Sequence, residues 1–355
     1  MPIVSRRTFT KGLLASALVP GYSAIGQPND PGSIAIVDTP NNAAKLAPEL
    51  SAQNVKVVVR FFARKLQPGL REKIMASDGN MIDGVREPTV LIRNGLSIIS
   101  LYQYRNNLPE KFLKGLEDTG SAKAEVAADA KAALDQAKLV GQPEGSAIYF
   151  GVDFNVNRAA ANAVLEYFRV INQTVGSRYA IGVYGNGLVN RILREEKLVS
   201  YNWISASRSH EGTVEFYNSG VWHLFQNQVD RRWFGAPGKC STGLDIDTNL
   251  QNPRVSSIGA WGAGEVDRSR NQKIFDQRRF AIRSTQVLQE NGGPSVGRGN
   301  CKPDNRVPRN SNVRILEQSE TWSSVDIDED GNPDGQVKTS DLTTNLATMP
   351  PWEVS

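Results

Sequence analysis

Eight short apolar segments recur between residues 34 and 247, and this repetition constrains the fold more than any other feature of the chain. Each segment has the length of a strand and is apolar almost throughout, which is typical of strands buried on both faces of a parallel sheet. Helix-like segments separate them, most clearly 121–139 and 158–175, which end near Gly141 and Gly176. The apolar segments are 34–38, 55–60, 97–103, 147–153, 180–184, 203–206, 221–226 and 244–247.

This alternation predicts an α/β fold. Eight strands with intervening helices in about 220 residues match a (β/α)8 TIM barrel in size and strand number. An open, doubly wound parallel sheet is the alternative, but no G-x-G-x-x-G sequence follows the first segment, which disfavours a nucleotide-binding version of it. A sugar-phosphate isomerase on the barrel is disfavoured because no Gly-rich phosphate loop follows the last two segments.

Polar side chains near the ends of these segments indicate where a site would lie. In a TIM barrel, catalytic groups lie at the carboxyl ends of the strands, where the βα loops meet. Taken singly, an aspartate in such a place often caps a helix or opens a turn, and an aromatic ring often lines a core. The candidate catalytic residues are Asp38, Asp153, Asp245 and Asp247. The candidate substrate-binding residues are Arg60, Tyr102, Gln103, Tyr184, Trp203 and Gln226.

Taken together, these residues favour carbohydrate chemistry. Aromatic rings stack on the C–H faces of sugars, and glycosidic cleavage uses one carboxyl group to protonate the leaving oxygen and a second to stabilise an oxocarbenium-like state. Asp245 and Asp247 alternate with Leu244 and Ile246, so a strand would turn both carboxylates to one side. There each would raise the pKa of the other, as a general acid requires, although both also fit a loop-capping role.

Several segments in one order resemble the glycoside-hydrolase-like TIM-barrel family, a domain family of unknown function related to the family 25 lysozymes (muramidases). The resemblance covers about residues 33–253 and is carried by the ensemble more than by any single motif. The segments are Ile-Tyr-Phe-Gly-Val-Asp-Phe at 148–154, Ile-Gly-Val-Tyr-Gly at 181–185, the strand of Trp203, 222–226, Leu-Asp-Ile-Asp-Thr-Asn at 244–249, Gly-Gln-Pro-Glu-Gly at 141–145 and Val-Arg-Phe-Phe-Ala at 59–63.

The resemblance implies roles for particular aspartates. The lysozyme branch places an acidic residue at the end of the first strand, matched here by Asp38, and an Asp-x-Glu at the fourth strand whose Glu donates the proton. This chain has Val-Asp-Phe-Asn at 152–155, so the Glu position holds Asn155 or Phe154, and neither is a carboxylic acid. Asp153 is then expected to be the lead catalytic or substrate-binding carboxylate, with Asp38, Asp245 or Asp247 as its partner.

The N-terminus, residues 1–26, resembles a twin-arginine signal peptide. Two adjacent arginines (Arg6 and Arg7) precede a short apolar stretch at 12–20 and small residues at 24–26. That stretch is far shorter than the ~20 residues that span a bilayer, so we expect no stable membrane span. The resemblance implies export by the twin-arginine machinery to the periplasm or cell wall; a basic amphipathic helix of a cytoplasmic protein is the alternative.

The C-terminal hundred residues read as a linker at 254–279 and a separate module at 280–345. Short alternating runs separated by Gly, Pro and Asp predict a small antiparallel barrel, and their order resembles bacterial SH3-like domains, which often bind cell-wall peptides or glycans. The segment from Asp326 to Asp334 resembles a calcium loop but has Val337 at the twelfth position, which favours an acidic hairpin tip. Cys240 and Cys301 either form a disulfide or remain free thiols.

The composition and charge of the chain disfavour some classes of ligand. The formal net charge is +4, and three of the positive charges (Arg6, Arg7 and Lys11) lie in the predicted signal peptide. The remainder is nearly neutral and does not indicate nucleic-acid binding. Two cysteines and two histidines without metal-ligand spacing predict no metal site, and no cofactor is expected.

Two functional hypotheses remain at this point. The first is an exported hydrolase of a peptidoglycan-type glycan that works through Asp153 and a second barrel aspartate. The second is a non-catalytic wall-binding protein, in which a degenerate barrel holds a glycan and the SH3-like module docks on the wall.

Overall fold

The computed structural model describes residues 34–64, 75–76, 81–82, 84–113, 120–233, 243–289, 306–309, 311–327 and 331–346. The predicted signal peptide and both cysteines lie outside these residues. Among the helices that the structure describes, none combines the length and the apolar character needed to cross a bilayer.

Eight strands close into a barrel. Its strands follow one another around the wall in the order β1, β2, β5, β6, β7, β8, β9 and β10, and β10 pairs with β1 to complete the ring. The strands in chain order are β1 (Ile36–Asp38), β2 (Val57–Phe62), β3 (Met81–Ile82), β4 (Val85–Arg86), β5 (Ser97–Tyr102), β6 (Ala147–Gly151), β7 (Ala180–Gly185), β8 (Tyr201–Ile204), β9 (Leu224–Trp233) and β10 (Leu244–Gln251).

Helices cover the outside of this barrel, and two apolar layers result. Outward side chains of the strands, such as Val58 and Ile148, pack with helix residues such as Phe168 in the larger core. Inward side chains, such as Ile99 and Tyr149, fill the interior. The helices are α1 (Ala47–Ala52), α2 (Glu87–Arg93), α3 (Pro109–Leu113), α4 (Gly120–Val140), α5 (Arg158–Val175), α6 (Gly187–Glu195) and α7 (Thr213–Ser219), and a 3-10 turn (Ala44–Leu46) precedes α1.

The last strand departs from the predicted all-parallel barrel. β10 is antiparallel to both β9 and β1, whereas the other neighbouring pairs around the ring are parallel. The physical reason is chain length: ten residues separate Trp233 from Leu244, and a parallel return needs a crossover of a dozen or more. The two arms of this hairpin extend beyond the barrel rim, since β9 continues five residues past Gln228, the partner of Thr248.

The segment expected to be a linker instead seals the floor of the barrel. Ile258 is buried among the interior side chains, and the Tyr149 hydroxyl donates a hydrogen bond to its carbonyl oxygen at 2.8 Å. At Gly259, with φ of 72°, an added Cβ would lie 2.3 Å from the Cβ of Ala147. A ninth strand of the same sheet, β11 (Trp261–Gly262), then pairs with β5. The predicted linker is therefore part of the barrel's packing.

The C-terminal residues form a small all-β unit after a helix, α8 (Arg268–Asp276). Five of its strands make an antiparallel sheet in the order β17, β16, β15, β12 and β18, and β13 pairs with β14. A 3-10 turn (Thr339–Asp341) precedes the last strand. The strands are β12 (Arg278–Ala281), β13 (Thr285–Gln286), β14 (Arg306–Val307), β15 (Asn312–Gln318), β16 (Trp322–Asp326), β17 (Gly335–Lys338) and β18 (Leu342–Thr343).

This unit packs directly on the barrel. Phe280 and Leu346 are buried in one cluster with Tyr217, Trp222 and Phe225 of the barrel side. The ring of Tyr217 lies 5.6 Å from that of Phe280, nearly perpendicular to it. The apolar contact gives the C-terminal unit a defined position on the outer surface beside α7.

The acidic segment after β16 has its first carboxylate turned inward. Asp326 is fully buried, lies 3.6 Å from the guanidinium of Arg314 and accepts a hydrogen bond from the amide of Gly331 at 3.0 Å. Asp334 accepts from the amide of Ile327 at 2.6 Å. These contacts fit an acidic hairpin; residues 328–330 lie outside the described part of the chain.

Candidate functional site

Alternation along the strands decides which side chains reach the barrel interior. Ile36 and Tyr149 belong to the interior cluster. Asp38 ends β1 two residues after Ile36, and Asp153 follows just beyond β6, four residues after Tyr149, so both face the same mouth of the barrel. Asp247 joins them because β10 is reversed: its first residues lie at this mouth, and Asp247 is the register partner of Asp38.

Amide side chains link the inner carboxylates. Asn249 donates a hydrogen bond from Nδ2 to Oδ2 of Asp38 at 2.7 Å and accepts one at Oδ1 from the indole of Trp203 at 2.8 Å. Gln226 donates from Nε2 to Asp247 at 2.8 Å and to Asp38 at 3.5 Å. Trp203 has no exposed surface, so it supports the site through Asn249.

Tyr184, which the sequence predicted to bind substrate, lies beside these hydrogen-bonded side chains. Its hydroxyl donates to Oε1 of Gln226 at 2.8 Å. Burial raises the pKa of Tyr184 well above its ordinary value, and the charges of Asp153, Asp38 and Asp247 raise it further. Gln226 thus links the phenol to Asp38 and Asp247 by hydrogen bonds, and Asp153 follows two residues after Gly151, the register partner of Tyr184.

The pKa of Asp38 is raised from 3.8 to about 7. Burial is the main cause, and repulsion from Asp247 and Asp153 adds to it, whereas the hydrogen bonds from Asn249 and Gln226 oppose the shift. Asp38 thus holds a proton at a pH where an ordinary aspartate is ionised.

Among the three aspartates Asp38, Asp153 and Asp247, Asp153 is the most accessible and is exposed. Its surroundings still raise its pKa through desolvation, and nearby His210 opposes this shift. Across the same strand end, a Cβ on Gly151 would lie 2.9 Å from Nδ2 of Asn106 and 3.5 Å from Cγ of Gln103. The predicted Gln103 therefore lies beside the mouth, next to an asparagine whose buried Nδ2 makes no hydrogen bond within the described residues.

The structure does not bring Arg60 and Tyr102 to this mouth. Both point outward, into the layer between the strands and the helices. Arg60 has no exposed surface and forms a two-pronged ion pair with Glu87 of α2, at 2.7 and 3.0 Å, while donating to the carbonyl of Thr39 at 2.7 Å. The Tyr102 hydroxyl donates to buried Asp129 of α4 at 2.7 Å. Both residues anchor helices to the barrel.

Asp245 is also separated from the inner carboxylates, although the sequence placed it with Asp247. It is exposed, its carbonyl accepts from the Thr39 hydroxyl at 2.7 Å, and its carboxylate lies 3.5 Å from Nδ2 of Asn41. A register irregularity between Ile246 and Thr248 interrupts the regular alternation that the sequence implied.

Three residues at the mouth were missed by the sequence reasoning. Asn249 lay within a quoted segment, but nothing in the pattern marked an amide as the partner of Asp38. His210 and Asn106 lie in loops after β8 and β5, where periodicity carries no information. No group of three or more potential metal ligands occurs in the part of the chain that the structure describes.

A family model for the Rv2525c-like, glycoside hydrolase-like domain matches residues 49–250, more than half of the chain. The chain belongs to this family. Within the Rv2525c-like domain the match includes Asp153, Tyr184, Gln226, Asp247 and Asn249, while Asp38 precedes the matched residues by eleven positions.

Two individual proteins of Bacillus subtilis are similar to parts of this chain. The chain is 25% identical over 202 residues to the uncharacterized protein YbfG of Bacillus subtilis, covering 54% of this chain and 25% of YbfG. It is 25% identical over 258 residues to the uncharacterized protein FadG of the same organism, covering 71% of this chain and 40% of FadG. The chain therefore spans less than half the length of these relatives.

Two solved structures are also similar to this chain, at lower sequence identity. The Mycobacterium tuberculosis Tat-secreted protein Rv2525c in complex with L-tartrate is 21% identical, with a TM-score of 0.47, covering 64% of this chain and 98% of that one. GHIP, a glycosyl hydrolase 25 of Streptococcus pneumoniae, is 14% identical, with a TM-score of 0.35, covering 62% of this chain and 88% of that one.

The buried carboxyl group of Asp38 predicts a pH-dependent stability. Because the pKa of Asp38 in the folded chain (about 7) exceeds its ordinary value of 3.8, the folded state binds the proton more tightly than the unfolded state. The resulting stabilisation is present below about pH 4 and is lost as the pH rises through about 7. We expect Asp38→Asn, which keeps an acceptor oxygen for Asn249 and carries no charge beside Asp247, to raise the melting temperature at pH 8.

The comparison across pH supplies the control for this prediction. At pH 4 the folded wild-type chain already carries the neutral carboxyl, so the difference in melting temperature between Asp38→Asn and wild type shrinks. Thermal unfolding followed by circular dichroism at both pH values checks it. A variant less stable than wild type at pH 8 would contradict the raised pKa.

Proposed function

We propose that this protein is an exported glycoside hydrolase that cleaves a cell-envelope glycan of the peptidoglycan type at the barrel mouth. The observation that carries the proposal is the hydrogen-bonded network that joins Asp38 and Asp247 through Gln226 to the Tyr184 hydroxyl, with Asp153 two residues after Gly151, the register partner of Tyr184. Carboxyl groups in different environments are what glycosidic cleavage requires, because one must be protonated while another is ionised.

Burial distinguishes the roles of these groups. We assign Asp153 the role of the general acid that protonates the leaving oxygen, because it is exposed to a substrate and desolvation raises its pKa. Asp38 and Asp247 lie deeper and are bridged by Gln226. While Asp38 holds its proton, the negative charge of Asp247 stabilises the oxocarbenium-like state. Tyr184 holds the bridge in place from the opposite side.

Two further parts of the proposal rest on the sequence. Export by the twin-arginine machinery to the periplasm or cell wall follows from the paired arginines and short apolar stretch of residues 1–26. The C-terminal all-β unit is proposed to be SH3-like and to dock on the wall. Its packing against the barrel through Phe280 supports a role in holding the barrel mouth near the polymer.

A non-catalytic glycan-binding protein is the second candidate. The observation that favours it is the state of Asn155, two residues after Asp153. Its side-chain oxygen accepts hydrogen bonds from the amide of Glu211 at 2.9 Å and from Asn186 at 3.2 Å, so this position braces a loop and supplies no acid. Such a site would hold a sugar without cleaving it.

Incubation of the purified protein with sacculi separates the two candidates. Hydrolysis releases reducing ends and soluble fragments, and these should increase with time and with protein concentration. A binding protein cosediments with the sacculi and releases neither. Cosedimentation without turnover across pH 4 to 8 would overturn the hydrolase in favour of the binder, and the absence of both would overturn the glycan as ligand.

A further inference from the structure

The outer face of β9 and β10 is covered by the C-terminal unit. In a (β/α)8 barrel, a ring of helices covers the outward side of the strands. On this side of the ring, Phe225 of β9 and Leu250 of β10 pack in one buried cluster with Phe280 and Leu346. The C-terminal unit therefore takes the place that helices hold elsewhere around the barrel.

The same outer face carries a buried polar pair, Asn227 of β9 and Thr248 of β10. Both side chains are at most 2% exposed, and the Thr248 hydroxyl donates to Oδ1 of Asn227 at 2.9 Å. One position away along each strand, Gln226, Asp247 and Asn249 face the interior and make the hydrogen bonds of the site. The polar pair thus lies directly behind the site.

Asn312, at the start of β15, joins this polar pair to the C-terminal unit. Its backbone carbonyl accepts from Nε2 of Gln228 at 3.0 Å, and its Oδ1 lies 3.5 Å from Nδ2 of Asn227. Nη1 of Arg278, on the paired strand β12, donates to the same Oδ1 at 2.8 Å. Asn312 is 1% exposed, so these contacts are shielded from water. One asparagine therefore holds two consecutive residues of β9 from outside.

The backbone next to these contacts is irregular. The pairing of β10 with β9 shifts register on both sides of Thr248. Such a shift disrupts the regular hydrogen bonds between the strands. Side-chain contacts across the outer face, from Thr248 through Asn227 to Asn312, supply part of the fixation that the backbone pairing lacks at this point. Asp247 and Asn249 of the site are the immediate neighbours of Thr248.

We propose that Asn312 is a positioning residue for the barrel site: the C-terminal unit holds the outer face of β9 and β10 and thereby fixes Asp247 and Asn249 on the inner face. The catalytic consequence rests on the function proposed above, in which Asp247 stabilises the oxocarbenium-like state. The positioning itself is independent of that function, because Asn249 donates to Asp38 in the chain without substrate.

A titration of Asp38 without substrate tests the positioning. The hydrogen bonds from the two amide side chains lower the pKa of Asp38, against the effects of burial and of the neighbouring carboxylates. We expect Asn312→Ala to loosen these two donors and so to raise the pKa of Asp38 above its wild-type value. Carbon-13 NMR of the carboxyl resonances, with Asp38→Asn for assignment, measures it. An unchanged or lower pKa would overturn the proposal.

Two more variants change the same contact in other ways. Thr248→Val removes the hydroxyl on the barrel side and leaves Asn312 in place, so it tests the proposal even where Asn312→Ala does not fold. It should also raise the pKa of Asp38. Asn312→Asp keeps an oxygen that accepts from Arg278 and should keep the wild-type pKa. No change in Thr248→Val, or the same rise in Asn312→Asp as in Asn312→Ala, would contradict the positioning role.

Thr285→Val is the matched control for stability. Like Thr248, Thr285 is buried, and its hydroxyl donates to a buried side chain, that of Asp341 at 2.8 Å within the C-terminal unit. The variant weakens the same unit away from β9, so the pKa of Asp38 should stay at its wild-type value. A rise equal to that in Asn312→Ala would assign the effect to general loosening of the unit and overturn the proposal.

Kinetics on sacculi test the catalytic consequence. A displacement of about 1 Å at a reacting group, caused from a distance, can lower a rate about 10²-fold. We therefore expect Asn312→Ala to lower kcat by about 10–10²-fold, with little change in KM because the contact lies on the outer face, away from the substrate. Thr285→Val should retain the wild-type kcat.

The titration and the kinetics fail separately. A raised pKa of Asp38 in a protein that releases no reducing ends would overturn the proposed hydrolase and leave the positioning by Asn312 intact. Release of reducing ends at the wild-type rate by Asn312→Ala, with the pKa of Asp38 unchanged, would overturn the positioning and leave the hydrolase intact.

Discussion

If the proposed hydrolase function holds, we expect replacement of Asp153 by asparagine to lower the rate of reducing-end release from sacculi by about 10²–10⁴-fold, the usual contribution of a general acid. Asparagine fills the same space but cannot give a proton to the leaving oxygen. Because the Asp153 side chain is exposed, the substitution removes little packing. The melting temperature should therefore stay within a few degrees of wild type, which shows that the lost activity is chemical.

Asp245→Asn is the matched control. It makes the same chemical change to an exposed aspartate that the structure places away from Asp38. Activity in this variant should remain near the wild-type level. Equal losses in the two variants would mean that the mouth responds to net charge, and full activity in Asp153→Asn would remove Asp153 from the mechanism.

The second large effect concerns stability. Arg60→Met leaves the Glu87 carboxylate buried with no counter-charge from its ion-pair partner, and breaking a fully buried pair in this way costs about 3–5 kcal/mol. The carbonyl of Thr39 also loses its donor. We expect chemical denaturation to show this loss in the free energy of unfolding, with glycan affinity of the folded fraction unchanged because Arg60 points away from the mouth.

Arg64→Met provides the comparison. Arg64 follows four residues later, is partly exposed, and lies 3.6 Å from Glu125 and 3.9 Å from Asp129; the latter keeps Lys111 at 3.0 Å when Arg64 is replaced. An ion pair of this kind contributes at most about 1 kcal/mol. Similar losses in both variants would contradict the assignment of Arg60 to a buried structural pair, and weaker glycan binding by folded Arg60→Met would return it to the site.

The strands were predictable because burial on both faces leaves a clear apolar signature, and eight strands of the expected segments do close into a barrel. The same signature hides which face is inside. Val57 and Val59 line the interior while Val58 lies in the outer layer, yet all three are valines. The sequence therefore could not tell that Arg60 shares the outer face, and it was assigned to the mouth.

The antiparallel strand β10 explains a second difference between the sequence prediction and the structure. The sequence indicated an acidic cluster that included Asp38, Asp153 and Asp247; the structure links Asp38 and Asp247 through Gln226 and places Asp153 after the end of β6 at the same mouth. It did not indicate that β10 runs antiparallel, or that a register irregularity separates Asp245 from Asp247. Irregular pairing depends on the neighbouring strands, so it leaves no local pattern in the chain.

The floor of the barrel is a third feature that the sequence did not predict. Residues around Gly259 read as linker because glycine and small residues dominate there. In the structure, the same glycine permits the backbone to pass against Ala147, where a side chain would collide. Glycine in this segment is required for close packing, and composition alone does not distinguish a closely packed glycine from a glycine in a flexible linker.

The projecting arms of β9 and β10 impose a direction on whatever occupies the mouth. At about 3.3 Å per residue, the five residues of β9 beyond Gln228 rise roughly 17 Å above the rim. They pair with the first residues of β10 on the side of the mouth that carries Asp247. A polymer bound at the mouth, as proposed, would meet this hairpin on one side only, so the shape of the molecule would distinguish the two ends of the polymer before any functional group is recognised.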